Sequence, residues 1–291
     1  MKPAPFTYHD PRTIRDATDL IASLENARPL AGGQSLMPMM NFRYAMPDHL
    51  IDLNTVSELA YIRKEGETLR IGAMTRQRDL EYSREIAECC AILHEALAHV
   101  GHRQTRNRGT IGGSLCHLDP SAELVNVAAL LDATLHASSR NGARDIPIAE
   151  FTPAFMSTSL EADELLTGIT LRLPAQRTGH AFAEFARRRG DFAIVASSAL
   201  VALGPDGAIA RASIAISGMA HCPVRPAHIE RALTGEKPGA AAFKAAAAEA
   251  AKLEAASDAY VTADYRKHLA RILTYRALEQ ATARATELAH A

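Results

Sequence analysis

The chain has 291 residues, enough for a large core divided among two or three units rather than one. Its 32 Lys and Arg stand against 33 Asp and Glu, a net charge of -1 that argues against nucleic acid as the main partner. The longest strongly apolar run, residues 192–203, falls short of the ~20 residues a membrane span needs and reads as a buried strand. Met1-Lys2-Pro3-Ala4-Pro5-Phe6 has neither an apolar stretch nor a small-residue cleavage site, so the expectation is a cytoplasmic protein. Cys89, Cys90, Cys116 and Cys222 form no C-x-x-C pair, which sets the expectation of reduced thiols and no metal held by this chain.

In chain order, Thr13-Ile14-Arg15-Asp16 has the form of a capping box. Ile14, Ala17, Ile21 and Leu24 follow at helical spacing, giving a helix to about residue 27. Leu30-Ala31 reads as a short strand, residues 35–40 as a short helix that carries Pro38 in its first turn, and residues 49–53 as a strand. Glu65-Gly66-Glu67 between two apolar segments signals a hairpin. From Thr75 the pattern is helical, including residues 86–100, and Asp119-Pro120-Ser121 opens a further helix. Strand signals return at residues 134–137, 143–148 and 165–173, and residues 174–179 form a linker candidate. Beyond it, residues 182–187, 192–203 and 209–217 read as three strands, the last two joined by Gly204-Pro205-Asp206-Gly207. Helices at 227–233 and 240–256 and one around Tyr265, Leu269, Ile272 and Leu273 complete an antiparallel three-stranded sheet backed by helices.

The chemistry concentrates in two glycine loops, Ala31-Gly32-Gly33-Gln34-Ser35-Leu36 and Thr110-Ile111-Gly112-Gly113-Ser114-Leu115. Glycine permits positive φ and close approach, and successive backbone N–H groups in such turns make nests for anions. Two nests point to a ligand with two phosphates, hence a dinucleotide. Arg103, Arg106 and Arg108 precede the second loop, and as a set they favour an anion there. No G-x-G-x-x-G follows a strand, and P-loop, G-x-S-x-G and H-E-x-x-H motifs are missing. His94, His99 and His102 cluster without a carboxylate pattern, so they read as a helix surface facing a partner or the core.

These residues resemble a known family. Ala31-Gly32-Gly33-Gln34-Ser35-Leu36-Met37-Pro38, then Arg43 and His49-Leu50-Ile51-Asp52-Leu53-Asn54, is similar to the FAD-binding medium subunit of the molybdenum hydroxylases. Arg106-Asn107-Arg108-Gly109-Thr110-Ile111-Gly112-Gly113-Ser114-Leu115 with Asp119-Pro120 resembles its second signature, and Arg187-Arg188-Arg189-Gly190-Asp191-Phe192-Ala193 a third. The resemblance runs through essentially the whole chain. It implies an α+β fold: an FAD-binding domain of the PCMH type over residues 1–175, with subdomains of about 1–55 and 56–175, and a C-terminal domain over 176–291 of the CO-dehydrogenase flavoprotein type.

The resemblance also implies roles. Pro29, Leu30, Ala31, Gly32, Gly33, Gln34, Ser35 and Leu36 would wrap the FAD pyrophosphate through backbone N–H groups, and Thr110, Ile111, Gly112, Gly113 and Ser114 would meet it from the other side. Glu123 occupies the slot of an aspartate that bonds the cofactor's sugar or ribityl chain. Ile169 would lie near the isoalloxazine or adenine, and Phe192 near the flavin ring. Ala183 and Glu184 stand where some relatives have a lysine, so none is carried over. No side chain is expected to act on the organic substrate. The implied partners are a small chain with two 2Fe-2S clusters and a large molybdopterin chain, as a heterotrimer or its dimer, with NAD, a quinone or oxygen as electron acceptor. Two other readings stay open on the residues: a self-sufficient flavoenzyme of the same fold, like the cell-wall UDP-sugar reductases, and a nucleotide-binding scaffold without redox chemistry.

Overall fold

The structure, a computed structural model, describes residues 1–290. It opens with strand β1 (Thr7–His9) and helix α1 (Ile14–Ser23). Thr13 starts α1 as its sequence predicts, its hydroxyl accepting from the Asp16 N–H at 3.0 Å, while Ala17 and Ile21 turn inward. The helix ends at Leu24, short of the expected residue 27. Asn26 takes a φ of +49° there and its side-chain amide donates to Asp48 and to the Met46 carbonyl, which turns the chain into strand β2 (Ala27–Leu30). After α2 (Leu36–Asn41), β3 (His49–Asp52) pairs in parallel with both β1 and β2, giving a sheet in the order β1-β3-β2. The pairing of β1 has no local signal, because Thr7-Tyr8-His9 is held only by a strand 40 residues away in sequence.

A second sheet follows. The hairpin β4 (Ile62–Glu65) and β5 (Thr68–Gly72) forms as predicted, and helices α3 (Gln77–Glu81), α4 (Arg84–Cys89), α5 (Ala91–Leu97), α6 (Arg103–Arg108), α7 (Ile111–His117) and α8 (Glu123–Leu130) come before the next strand. Residues 86–100 do not make one helix, since Cys90 leaves helical geometry at φ -141° and separates α4 from α5. Strands β6 (Thr134–Ser139) and β7 (Gly142–Pro147), the single turn α9 (Ile148–Phe151) and β8 (Leu165–Arg172) complete an antiparallel sheet ordered β4-β5-β8-β6-β7. Leu69, Ile71, Leu135, Ile169 and Leu171 on these strands bury against Leu93, Leu97, Leu115 and Val127 of the helices.

The third sheet, ordered β11-β10-β9, is formed by β9 (Thr178–Phe185), β10 (Val195–Leu203) and β11 (Ile209–Ser217), all antiparallel. Helices α10 (Ala227–Leu233), α11 (Ala240–Ala250) and α12 (Ala263–His290) back it. Helix α11 stops six residues before the expected end, where the Ala256 N–H donates to the Met219 carbonyl and draws the chain across the sheet. A Cβ at Gly179 would sit 1.9 Å from the Ala281 carbonyl, so α12 lies directly on the backbone of β9. Helix α8 is buried on every side between the second and third sheets. Asn126 at its centre satisfies its amide on Ser217, the Ala215 carbonyl and Ser198. The whole is the mixed α+β architecture its pattern predicts, with three short sheets and no helix long and apolar enough to cross a membrane among the described residues.

Candidate functional site

The first glycine loop follows β2 with no regular structure from residue 31 to residue 35. Gly33 has a φ of +74°, the left-handed region that glycine enters at no steric cost. Gly32, Gly33 and Gln34, with Leu30, Met37, Pro38, Asn41 and Arg108, line an open groove of about 410 Å³. Among the described residues, the backbone N–H groups of Gly32, Gly33, Gln34 and Ser35 donate to no protein acceptor. Unspent amides are costly unless water or a ligand takes them, so this loop is a cradle waiting for acceptor oxygens. Ser35 sits at the head of α2 but its side chain makes no cap, and Leu36 begins the helix. Pro29 lies one residue earlier in β2, paired with Ile51.

The second glycine loop is built differently. Thr110 caps α7, its hydroxyl accepting from Gly113 N–H at 3.0 Å. Ile111 N–H donates to the Thr75 carbonyl, Gly112 N–H to the Ala73 carbonyl and Ser114 N–H to the Thr110 carbonyl. The amides of residues 111–114 are therefore spent inside the protein, and the expected second nest of free N–H groups does not form. Gly112 serves packing, because a Cβ there would stand 2.6 Å from both the Cβ and the carbonyl oxygen of Ala73. Gly113 faces the other loop, its Cβ position lying 3.3 Å from Ala31 Cβ. What this wall offers outward is the half-buried Ser114, whose hydroxyl has no partner among the described residues.

The two loops interlock. A Cβ at Gly32 would fall 2.3 Å from the Arg108 carbonyl oxygen, so only glycine lets the first loop reach the approach to the second. Two side chains tie them together: Asn54, the last residue of the first signature, and Arg76, which lies in no motif. Asn54 donates to the Ala31 carbonyl at 3.1 Å and accepts from Arg76, and Arg76 also donates to the Arg108 carbonyl. Of the three arginines expected to gather round an anion, Arg106 is diverted: it forms a bidentate pair with Glu81 at 2.8 and 2.9 Å and donates to the Val100 carbonyl. Arg108 alone of the three lines the groove.

The remaining predicted residues lie further along. Glu123 opens α8 and is 3 % exposed. Burial pushes its carboxyl up to about 8, with Glu184 and Asp119 adding to the rise and His99 opposing it. His99 turns inward, 3.6 Å from the Glu184 carboxylate and against the Phe182 ring, and Glu184 raises its pKa. Ile169 is in the middle of β8, paired with Ile71 on one side and Leu135 on the other, and is buried in the core rather than in the groove lining. Phe192 lies just before β10 and is exposed. Its loop packs at Gly190 against His102, just ahead of α6, where a Cβ would meet the imidazole ring at 2.4 Å.

Two family models cover most of the chain. Residues 4–175 match the FAD binding domain in molybdopterin dehydrogenase, and residues 180–281 the CO dehydrogenase flavoprotein C-terminal domain. The chain is 38 % identical to the 6-hydroxypseudooxynicotine dehydrogenase complex subunit alpha of Paenarthrobacter nicotinovorans, over 98 % of this chain and 97 % of that one. It is 36 % identical to the carbon monoxide dehydrogenase medium chain of Afipia carboxidovorans, over 98 % and 99 %. Among solved structures, carbon monoxide dehydrogenase from Hydrogenophaga pseudoflava superposes with a TM-score of 0.94 at 36 % identity, covering 98 % of this chain and 99 % of that one. With matching family domains, relatives along its full length and the same fold, the chain belongs to the FAD-binding medium subunits of the molybdenum hydroxylases.

Proposed function

We propose that the chain holds FAD with its diphosphate in the groove between the two glycine loops. In this reading it passes electrons from the 2Fe-2S clusters of a small partner chain to an external acceptor. The observation that carries the reading is the row of unspent amides at Gly32, Gly33, Gln34 and Ser35, set beside a groove that Arg108 lines, with the second loop packed against Ala31 next to it. The residues present fit the group: a diphosphate supplies the acceptor oxygens those amides lack, and glycine leaves the backbone open to it. Bound FAD supplies redox chemistry that accepts electrons singly and releases them in pairs.

The protein's part is binding, orientation and electrostatics. The first loop, from Pro29 to Leu36, wraps the diphosphate. Thr110 and Gly113 hold the opposing wall in place, with the Ser114 hydroxyl as its outward donor. Glu123, whose carboxyl burial pushes up to about 8, would serve the sugar or ribityl chain. Phe192, which is exposed, would lie near the flavin ring, and Ile169, in the core, would back the isoalloxazine or adenine. The FAD-binding domain is assigned to residues 1–175, in subdomains of about 1–55 and 56–175, and the C-terminal domain to 176–291. A molybdopterin-bearing large chain completes the complex, a heterotrimer or its dimer in the cytoplasm. NAD, a quinone or oxygen takes the electrons.

The test is to purify the chain together with whatever chains accompany it and to titrate the preparation anaerobically with a one-electron donor. Reversible bleaching of a flavin spectrum is expected, with iron, sulfide and molybdenum in the co-purifying chains. A preparation with no flavin under any condition would overturn the reading.

A further inference from the structure

The spent amides of the second loop leave a question of charge. A diphosphate brings negative charge to the groove, yet one of its two walls has only a hydroxyl and a cap to offer. Arg108 is the one charged residue that lines the groove, and among the described residues its guanidinium makes no hydrogen bond and no ion pair. Arg76 lies close enough for Arg108 to lower its pKa, an effect that adds to burial. Its two terminal nitrogens donate to neutral acceptors, the Arg108 carbonyl and the Asn54 side chain.

The acidic groups nearby do not cancel this charge. Asp79 and Asp52 both act on Arg76 from a distance, less than burial and Arg108 do, and Asp52 accepts its hydrogen bonds from the Tyr8 hydroxyl and from the backbone and side chain of Asn54. The neighbouring Arg78 is turned to Asn107 and stacks over Tyr82. Two arginines thus meet at the junction of two glycine loops, and among the described residues neither guanidinium is hydrogen-bonded or ion-paired to a carboxylate. Like charges so placed repel, and the arrangement is relieved by an anionic ligand.

We propose that Arg76 and Arg108 are the counter-charge of the cofactor diphosphate, with Arg108 contacting it from the groove wall and Arg76, held by Asn54, acting through the loop junction as a positioning residue. The inference rests on the proposed FAD site and adds to it the source of charge that backbone amides cannot supply. It also explains why Asn54 and Arg76 bridge the Ala31 and Arg108 carbonyls: the same contacts fix the spacing of the loops and bring positive charge to the gap.

The experiment uses the full chain stripped of flavin and retitrated with FAD, followed by quenching of flavin fluorescence, at about 50 and about 300 mM KCl. Arg108→Lys should bind nearly as wild type, Arg108→Gln about tenfold more weakly and Arg108→Glu about a hundredfold more weakly, a ranking by charge. The wild-type affinity should fall with salt, and Arg108→Gln and Arg76→Gln should each flatten that dependence. Arg108 is exposed, so its variants keep the wild-type melting temperature without FAD. Arg108→Gln and Arg76→Gln chains that bind FAD within about threefold of wild type, with the same salt dependence, would overturn the arginine pair while leaving the FAD site intact. A wild-type chain that takes up no FAD would overturn the site and the arginine pair together.

Discussion

The two Gly-Gly pairs are alike in sequence and opposite in physical role. The first belongs to an irregular loop whose amides are unspent, with Gly33 at positive φ and the groove beside it. The second begins a helix, its amides committed to Ala73, Thr75 and Thr110, with Gly112 pressed against the core. One pair opens the backbone to a ligand and the other lets backbone pack on backbone. Substitution in the second loop should therefore act first on folding, and substitution in the first loop on cofactor alone.

The largest effect separating them is expected at Gly112. Gly112→Val places its branched side chain into Ala73, whose backbone accepts the Gly112 amide, and should destabilise the flavin-free chain by about 3 kcal/mol in urea unfolding. A near-neutral Gly112→Val would mean that the second loop is as open as the first, and the contrast would fail.

A smaller effect sharpens the comparison on the buried side, at Glu123 just beyond the second loop. Below its ordinary pKa of 4.5 the carboxyl is protonated in folded and unfolded chains alike, so its titration costs nothing there. As pH rises from 4.5 to about 8 the unfolded chain loses the proton and the folded chain keeps it, so stability falls across that window. Above about 8 the loss is complete. Glu123→Gln should remove this slope, stabilising the flavin-free protein by roughly 2 kcal/mol at pH 9 and hardly at all near pH 4.5. Parallel melting-temperature profiles of wild type and variant would place the Glu123 carboxyl in ordinary solvent instead.

Much of this was legible in the chain. Apolar runs and the Gly204-Pro205-Asp206-Gly207 turn mark the strands of the third sheet, and the Thr13 cap marks α1. The glycine signatures mark both loops because turns and close approach demand glycine locally. What the sequence does not carry is who takes each hydrogen bond. Arg106 looks available until Glu81, 25 residues earlier, captures it. Gly112 and Gly113 look like a nest until Ala73 and Thr110 take their amides. Arg76 belongs to no motif and Asn54 only closes the first signature with no role attached, since their value lies in reaching Ala31 and Arg108 across 23 and 32 residues. Local propensity sets the elements, and non-local pairing sets which polar groups remain for a ligand.

The central claim is that the first loop is the cofactor cradle, and Gly33→Val tests it most directly. A Cβ at Gly33 meets only side-chain atoms, Met37 Cγ at 3.2 Å and Leu30 Cδ1 at 3.3 Å, so the damage is confined to the loop's own positive-φ conformation. Flavin content per purified chain is the measurement, with the flavin-free melting curve alongside. About one FAD per wild-type chain is expected, with most of it lost in Gly33→Val while the flavin-free melting temperature shifts by only a few degrees. A Gly33→Val chain that retains its full complement of FAD would contradict the account.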